Sequence, residues 1–330
     1  MIITKTPVRL SLGGGGSDLP SFYKKHRSGY ILSTAINKYV FCLVRSNFEV
    51  GVRFTGYNKK EIVRYVEDLS NPIVKAVLKF LDYKDDVEIV TMSDVRTNCG
   101  LGTSSSFTVG LIHALRLHRG DKVDKLQLAK DAITIERDIL KESGGIQDQY
   151  SAAIGGILSM HIDSEGNVDP VRIFISEDAS NAFLNRCHIY DTKSQRFSSD
   201  VQAATIKRIT EGNDEFLALR DLMNLGMKLK DILSSGDINS FGLILDQHWK
   251  LKKSYADPQS WNKFDDIYKK AMLNGAIGGK LIGAGGGGYF MFVIGNDQGS
   301  DEFEKFMKIE GLERTHFDFE DVGSNVLFNG

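Results

Sequence analysis

Four stretches of this chain join glycine to hydroxyls, carboxylates or a single cation, the residue types that handle phosphate. The most specific is Asn98-Cys99-Gly100-Leu101-Gly102-Thr103-Ser104-Ser105-Ser106, which runs straight into a segment of helical period. A helix starting there presents free backbone N–H groups and a partial positive charge. Glycines let that backbone close on a phosphate, and the hydroxyls add donors or a metal ligand. Gly100, Leu101, Gly102, Thr103, Ser104 and Ser105 are therefore the candidate phosphate loop. The competing reading is that Ser and Thr merely cap the helix. No GxxxxGK[ST] occurs, so the loop is not a Walker P-loop.

The second stretch carries acid chemistry. Glu136 lies in one helical segment, and Asp148 lies in Gly144-Gly145-Ile146-Gln147-Asp148-Gln149, at the start of the next. A carboxylate there can be a simple cap. Two carboxylates beside a hydroxyl-rich phosphate loop also fit a metal ion and a base, because Mg²⁺ takes one or two carboxylates plus phosphate oxygens. In the third stretch, Pro7 to Asp18, a strand ends in the run Gly13 to Gly16 and an acid follows. Arg9 can neutralise charge on a transferring phosphoryl group, and Asp18 can accept hydrogen bonds from sugar hydroxyls. An ordinary ion pair and turn is the alternative. The fourth, Gly283-Ala284-Gly285-Gly286-Gly287-Gly288, contains GxGxxG, but a strand follows it and only 42 residues remain. That excludes a dinucleotide fold, which needs a strand before the motif and a helix after it.

The elements that must position these groups are coarsely legible. Strands are predicted at 2–12, 29–46, 87–92 and 155–162 from their Val, Ile, Tyr and Phe content. Phe107, Leu111, Ala114 and Leu115 share one face of a helix over 104–118. One helix is expected over 124–141, carrying Glu136, and a short one after Gly145. The second half is dominated by amphipathic helices at 200–234, 237–255 and 260–274. A glycine-rich segment at 278–288, a strand at 288–294, a helix near 300–308 and a strand near 313–319 close the chain. Strands and helices are mixed without strict alternation, which gives an α+β fold of two lobes. Residues 1–185 form the lobe with the phosphate loop and acids, and residues 186–330 the lobe with the last glycine cluster.

Composition narrows the function class. Glycine makes up 33 of 330 residues, above the usual roughly 7%. A net charge of −2 argues against a nucleic-acid partner. No apolar run approaches the roughly 18 residues of a membrane helix, and Met1-Ile2-Ile3-Thr4-Lys5 lacks the features of a signal peptide. Three distant cysteines without CxxC suit a reducing, cytoplasmic setting. The seven histidines show no ligand spacing.

Taken together, the four segments resemble the GHMP small-molecule kinases, named for galactokinase, homoserine kinase, mevalonate kinase and phosphomevalonate kinase. Pro7-x-Arg9 through Asp18, Gly100 to Ser105, and Lys280-Leu-Ile-Gly-Ala-Gly-Gly-Gly-Gly288 stand in that family's order, with Glu136 and Asp148 spaced like its acid pair. The second motif opens on Thr97-Asn98-Cys99 where the family usually has Pro-x-Gly. The resemblance implies a first lobe like the second domain of ribosomal protein S5 and a ferredoxin-like second lobe. It implies ATP and Mg²⁺ as cosubstrate and cofactor, a small sugar phosphate as partner, and a homodimer as candidate assembly. On this pattern Gly100 to Ser105 wrap the triphosphate, Ser104 and Glu136 hold Mg²⁺, Asp148 is the base, and Arg9 lies beside the transferring group. Asp18, Gly15, Gly16, Ser17, Gly285 and Gly286 fall on the acceptor side. Cations for the acceptor's own phosphate would come from Lys193, Arg196, Lys252 or Lys253, whose spacing does not separate them from solvated surface charge. A fucose- or galactose-type kinase, or a non-catalytic ATP- and sugar-binding member, are the alternatives.

Overall fold

The computed structural model describes residues 1–57, 59–83, 86–194, 206–208, 212–255, 258–283 and 287–330. Gly285, Gly286 and Arg196 lie outside the described residues. In chain order the first half runs β1 (Ile2–Gly13), α1 (Pro20–His26), β2 (Ser28–Ser46), β3 (Val52–Gly56), β4 (Lys59–Val63), α2 (Pro72–Phe80) and β5 (Val87–Ser93). It continues with α3 (Thr103–His118), α4 (Lys125–Ile133), α5 (Gln147–Ile154), β6 (Ile157–Asp163), β7 (Val168–Ile173) and α6 (Glu177–Arg186). The second half comprises β8 (Cys187–Asp191), α7 (Asn213–Ser235), α8 (Ile238–Tyr255), α9 (Pro258–Leu273), β9 (Ala276–Leu281), β10 (Tyr289–Ile294), α10 (Ser300–Ile309), β11 (Glu313–Thr315) and β12 (Asn325–Asn329).

Two sheets organise these elements. The first holds eight strands in the order β12-β1-β2-β5-β3-β4, with β6 and β7 branching from β2. The long β2 makes this branch: its first half pairs with β6 and its second half with β5, while β1 runs beside both. The second sheet, β11-β8-β10-β9, is antiparallel throughout. Numbered along the chain its order is 4-1-3-2, with helices after the first and third strands, the arrangement of a ferredoxin-like lobe. The α+β expectation thus holds. The C-terminal strand β12, which the sequence reading missed, returns to the first sheet beside β1.

Helix α3 lies at the centre of the first lobe. From Thr103 to Leu115 every residue except Ser104 is buried. It packs on β1, β2, α4 and α5, so its N-terminus is fixed from several sides. The second lobe has its own aromatic core. Trp249 stacks on Tyr268 with ring centroids 4.6 Å apart, and Phe290 and Phe292 lie 4.5 Å apart behind them. A bidentate pair, Arg96 Nε to Asp191 Oδ2 at 3.0 Å and Nη2 to Oδ1 at 2.5 Å, ties the loop before α3 to the end of β8.

Two local expectations are corrected. The single helix over 124–141 is instead α4 followed by a π-helical turn over Thr134–Ile139. The wider turn faces Glu136 inward, where it is 1% exposed; such turns concentrate at functional sites. The glycine-rich segment 278–288 begins as strand: Gly278 and Gly279 belong to β9. A side chain at Gly278 would overlap the backbone of Gly242 in α8, so glycine lets that helix lie directly on the strand.

Trp249→Ala should cost about 3–5 kcal/mol through the cavity left between α8, α9 and β10. Urea unfolding checks it, and a loss below about 1 kcal/mol would show that the aromatic cluster is not tightly packed.

Candidate active site

The site grows from the end of β1. Arg9 is 4% exposed. Its Nε and Nη2 each donate to a carboxylate oxygen of Asp148 at 2.7 Å, and its Nη1 donates to Gly100 O at 2.5 Å. The Arg9 backbone N–H donates to Leu101 O at 3.0 Å. One residue therefore fixes both the phosphate loop and the acid at the start of α5. The planar guanidinium matches a carboxylate bidentately, which fixes angle as well as distance. Asp148 stays partly open to solvent, its side chain 21% exposed. An ionised carboxylate has about four lone-pair sites, so two bonds from Arg9 leave room for a hydroxyl.

The loop 98–102 is shaped by left-handed residues at alternate positions: Asn98, Gly100 and Gly102 have φ of 56°, 82° and 75°. Alternation of this kind turns successive N–H groups to one side, a natural cradle for anions. Gly102 is the N-cap of α3 and no side chain caps that end. The Asn71, Asp124 and Ser176 side chains do cap α2, α4 and α6. The simple capping role weighed for Thr103 and Ser104 is thus not what their hydroxyls do. Thr103 Oγ1 instead donates to Arg96 O at 3.3 Å, and Ser106 Oγ to Pro7 O at 2.8 Å. Ser104 is the exposed residue of the first turn.

Glu136 reaches this helix from the π turn. Its Oε2 accepts from Ser105 Oγ at 2.9 Å and from Gln149 Nε2 at 2.5 Å. Its Oε1 is buried with no partner. Burial pushes the carboxyl above its ordinary value, with Arg137 pulling the other way. A buried, unpaired carboxylate oxygen is costly unless something meets it, and a hard cation does so. Among the described residues no three acidic, histidine or cysteine side chains converge. A metal here would therefore draw on Glu136, the Ser104 hydroxyl and phosphate oxygens, a donor set that suits Mg²⁺. Gln149, next to Asp148 on α5, was missed; nothing in its spacing marks it.

The acceptor-side expectations need correction. Ser17 is fully buried, and its hydroxyl is taken up by Gly14 O, Tyr30 O and Tyr30 N at 2.7–2.9 Å. Nothing is left for a substrate, so Ser17 fastens the loop. Asp18 is 1% exposed. Its Oδ2 accepts from Ile146 N at 2.9 Å and Gln147 N at 3.3 Å, and its Oδ1 from Gly16 N at 3.2 Å. It faces the N-terminus of α5 rather than solvent, and so sets the helix that carries Asp148. Any side chain at Gly145 would overlap that carboxylate. Arg137 holds the same loop by donating to Gly145 O through Nε at 3.0 Å and Nη2 at 2.8 Å. Gly15 and Gly16 are half-buried beneath α7, where a side chain at Gly16 would meet Leu219.

Of the cation candidates, Lys193 is exposed and Lys253 pairs with Asp265 at 2.7 Å. Lys252 is half-buried, and its Nζ donates to Gly283 O at 2.7 Å. Gly283 lies against Gly100: a side chain on Gly283 would stand 2.9 Å from the Gly100 Cα. Motif three therefore touches the phosphate loop by backbone.

Residues 71–156, which span α3, the π turn and Asp148, match the model for the GHMP kinases N terminal domain. Over that span the chain is similar to the GHMP kinases. It is 29% identical over 325 residues to a D-glycero-alpha-D-manno-heptose 7-phosphate kinase of Campylobacter jejuni, covering 95% of this chain and 93% of that protein. A galactokinase of Pyrococcus furiosus is 23% identical over 330 residues, covering 90% of each. A crystal structure described as a D-glycero-D-manno-heptose 1-phosphate kinase from Bacteroides thetaiotaomicron superposes with a TM-score of 0.82 at 23% identity over the full length of both chains, and shows the shared fold. The chain is thus an ATP-dependent sugar kinase with the two-lobed fold that these proteins share. Among its described residues no helix is long and apolar enough to cross a membrane.

The buried Asp18 gives a pH signature. Burial raises its folded pKa above the ordinary 3.8, against the pull of the Ile146 N–H. Its stabilising contribution is then full below 3.8 and lost as pH rises through the raised folded value. The ligand-free kinase should lose melting temperature over that rise, and Asp18→Asn should flatten the loss. Thermal melts across the acid range check this; parallel curves for the two proteins would refute it.

Proposed function

We propose that this kinase transfers the γ-phosphoryl group of ATP to the anomeric hydroxyl of D-glycero-D-manno-heptose 7-phosphate, giving the 1,7-bisphosphate. The observation that carries the reaction type is Arg9 bridging Asp148 and Gly100, which puts a candidate base and a phosphate loop on one side chain. The heptose assignment rests on the likeness to the Campylobacter jejuni enzyme over nearly the whole of both chains.

Phosphoryl transfer asks mainly for alignment and charge neutralisation. The uncapped start of α3 and the 98–102 loop hold the nucleotide phosphates. Glu136 and Ser104 would hold Mg²⁺, which would supply charge neutralisation for the nucleotide phosphates. The anomeric oxygen attacks the γ-phosphorus in line, the bond from that phosphorus to the β–γ bridging oxygen breaks, and ADP leaves. Asp148 takes the hydroxyl proton. Arg9 keeps Asp148 in register with the loop and stands beside the transferring group. Asp18 and Arg137 act at one remove, by holding the chain that presents Asp148.

Asp148→Asn should lower turnover about 10²- to 10⁴-fold, the worth of a positioned base, with ATP binding little changed. An ADP-release assay beside a nucleotide titration checks it, and turnover within a few-fold of wild type removes the base assignment. Glu136→Gln should raise the Mg²⁺ concentration needed for half-maximal rate; an unchanged Mg²⁺ titration would leave Glu136 as a structural residue. A panel of free and phosphorylated heptoses and hexoses tests the acceptor, and preferred turnover of free fucose or galactose would overturn the heptose reading.

A further inference from the structure

Three cations from different elements lie near one another, and one of them, Arg9, pairs with Asp148. Arg9 comes from β1, Lys252 from α8 and Lys280 from β9. Lys280 is 2% exposed, and its Nζ donates to Leu12 O at 3.2 Å. Lys252 Nζ donates to Gly283 O at 2.7 Å and lies 5.9 Å from the centre of the Trp261 ring. His248, one turn before Lys252 on α8, is 2% exposed, and neither ring nitrogen has a partner. Each ammonium has three donors, and the described contacts use one on each lysine. The carboxylates nearest in sequence are committed elsewhere: Asp246 bonds Lys250 and Tyr268, and Asp265 bonds Lys253 and Lys269. Asp148, already bidentate on Arg9, is the acid that reaches the group. Buried charges are normally paired, and among the described residues neither Lys252 nor Lys280 has an ion-pair partner, while Arg9 has Asp148. Two ammonium groups with free donors and no acid of their own suit an arriving dianion such as a phosphate monoester.

We propose that Lys252 and Lys280, backed by Arg9 and His248, form a phosphate subsite between the two lobes that holds the phosphate already carried by the acceptor. The proposal rests on the phosphorylated-acceptor reading above and adds the residues that recognise it. The anchor points favour the acceptor over the nucleotide. Lys280 hangs from Leu12 O, just before the glycine run that leads to Asp18. Lys280 has no described bond to residues 100–105, and Lys252 reaches that loop only through Gly283, which lies on Gly100.

The ionisation of the cluster supports this geometry. Burial, with Arg9 nearby, pulls Lys252 down to about 8, and burial with Lys252 and Arg9 as neighbours depresses Lys280 as well. His248 is held neutral by burial and by the same two lysines. An arriving dianion restores charge to the lysines, so its binding is accompanied by proton uptake. In the free protein the charged form of Lys252 is lost as pH rises through about 8. Acceptor binding therefore weakens above that pH, while a phosphate monoester becomes fully dianionic only above its second pKa of about 6.

The test uses the full chain, Lys252→Met, Lys252→Arg and Lys280→Met, with inorganic phosphate as probe. In wild type, phosphate should raise the melting temperature, take up protons on binding, and compete with the sugar phosphate rather than with ATP. In Lys252→Met the phosphate-induced shift should vanish. The ratio of kcat/KM for a phosphorylated acceptor to that for its free sugar should fall about 10- to 100-fold, as expected for a lost charged hydrogen bond. Lys252→Arg should restore part of that ratio. Lys280→Met, should it fold poorly, is replaced by the Lys252 pair, which settles the matter alone. Phosphate competing only with ATP would make this a nucleotide site and overturn the proposal. So would an unchanged ratio in Lys252→Met. Lys252-dependent phosphate binding in an enzyme that turns over only free sugars would overturn the heptose reading and with it the subsite's assignment to the acceptor, whereas an unchanged ratio in an enzyme that does turn over the heptose phosphate would overturn the subsite alone.

Discussion

The bond pattern of Arg9 is the constraint on which the rest of the site depends. A guanidinium donates in a fixed plane, so satisfying Asp148, Gly100 O and, through the backbone, Leu101 O from one residue leaves little freedom among them. β1 is held on both sides by β12 and β2, which makes Arg9 a fixed point. The loop before α3 and the start of α5 are then positioned against it. Removing any one of these partners would leave a buried charge or carbonyl unsatisfied, a cost larger than the worth of the bond itself.

The second lobe completes the arrangement by backbone approach. Gly283 lies on Gly100, and Lys252 and Lys280 bring their charges to the seam from α8 and β9. The same seam is braced at its other end by Arg96 and Asp191. Unpaired buried cations are unfavourable in the empty protein, and a lysine depressed in the fold lowers stability wherever the unfolded chain would carry the proton. In the proposed subsite an arriving anion offsets that cost.

Much of the site could be read from residue order. Gly100 to Ser105 before a helical period, Glu136, Asp148 and Arg9 are brought together by the fold, because glycine, hydroxyl and carboxylate in short local runs are patterns that tertiary context does not disguise. Other readings failed for identifiable reasons. Asp18 looked like a ligand for hydroxyls because its sequence neighbours are glycines; in the fold it bonds backbone 128 residues away at Ile146. Gly278 looked like loop because glycine has no strand propensity, yet contact with α8 selects it there. The helix expected through 141 kept its period until the π turn, which no spacing announces.

The sequence by itself determined the α+β class, the candidate phosphate loop and acid pair, and the likeness to the GHMP kinases, since these rest on local patterns and on the order of motifs. Only the tertiary structure decided which charges are alone. Lys252 and Lys253 are adjacent in the chain, and nothing local distinguishes them. Lys253 turns to Asp265, while Lys252 turns to Gly283 at the seam, where no carboxylate pairs with it among the described residues. Whether a charge is paired depends on residues brought from distant segments, and burial, which gives an unpaired charge its chemical meaning, exists only once the chain has packed.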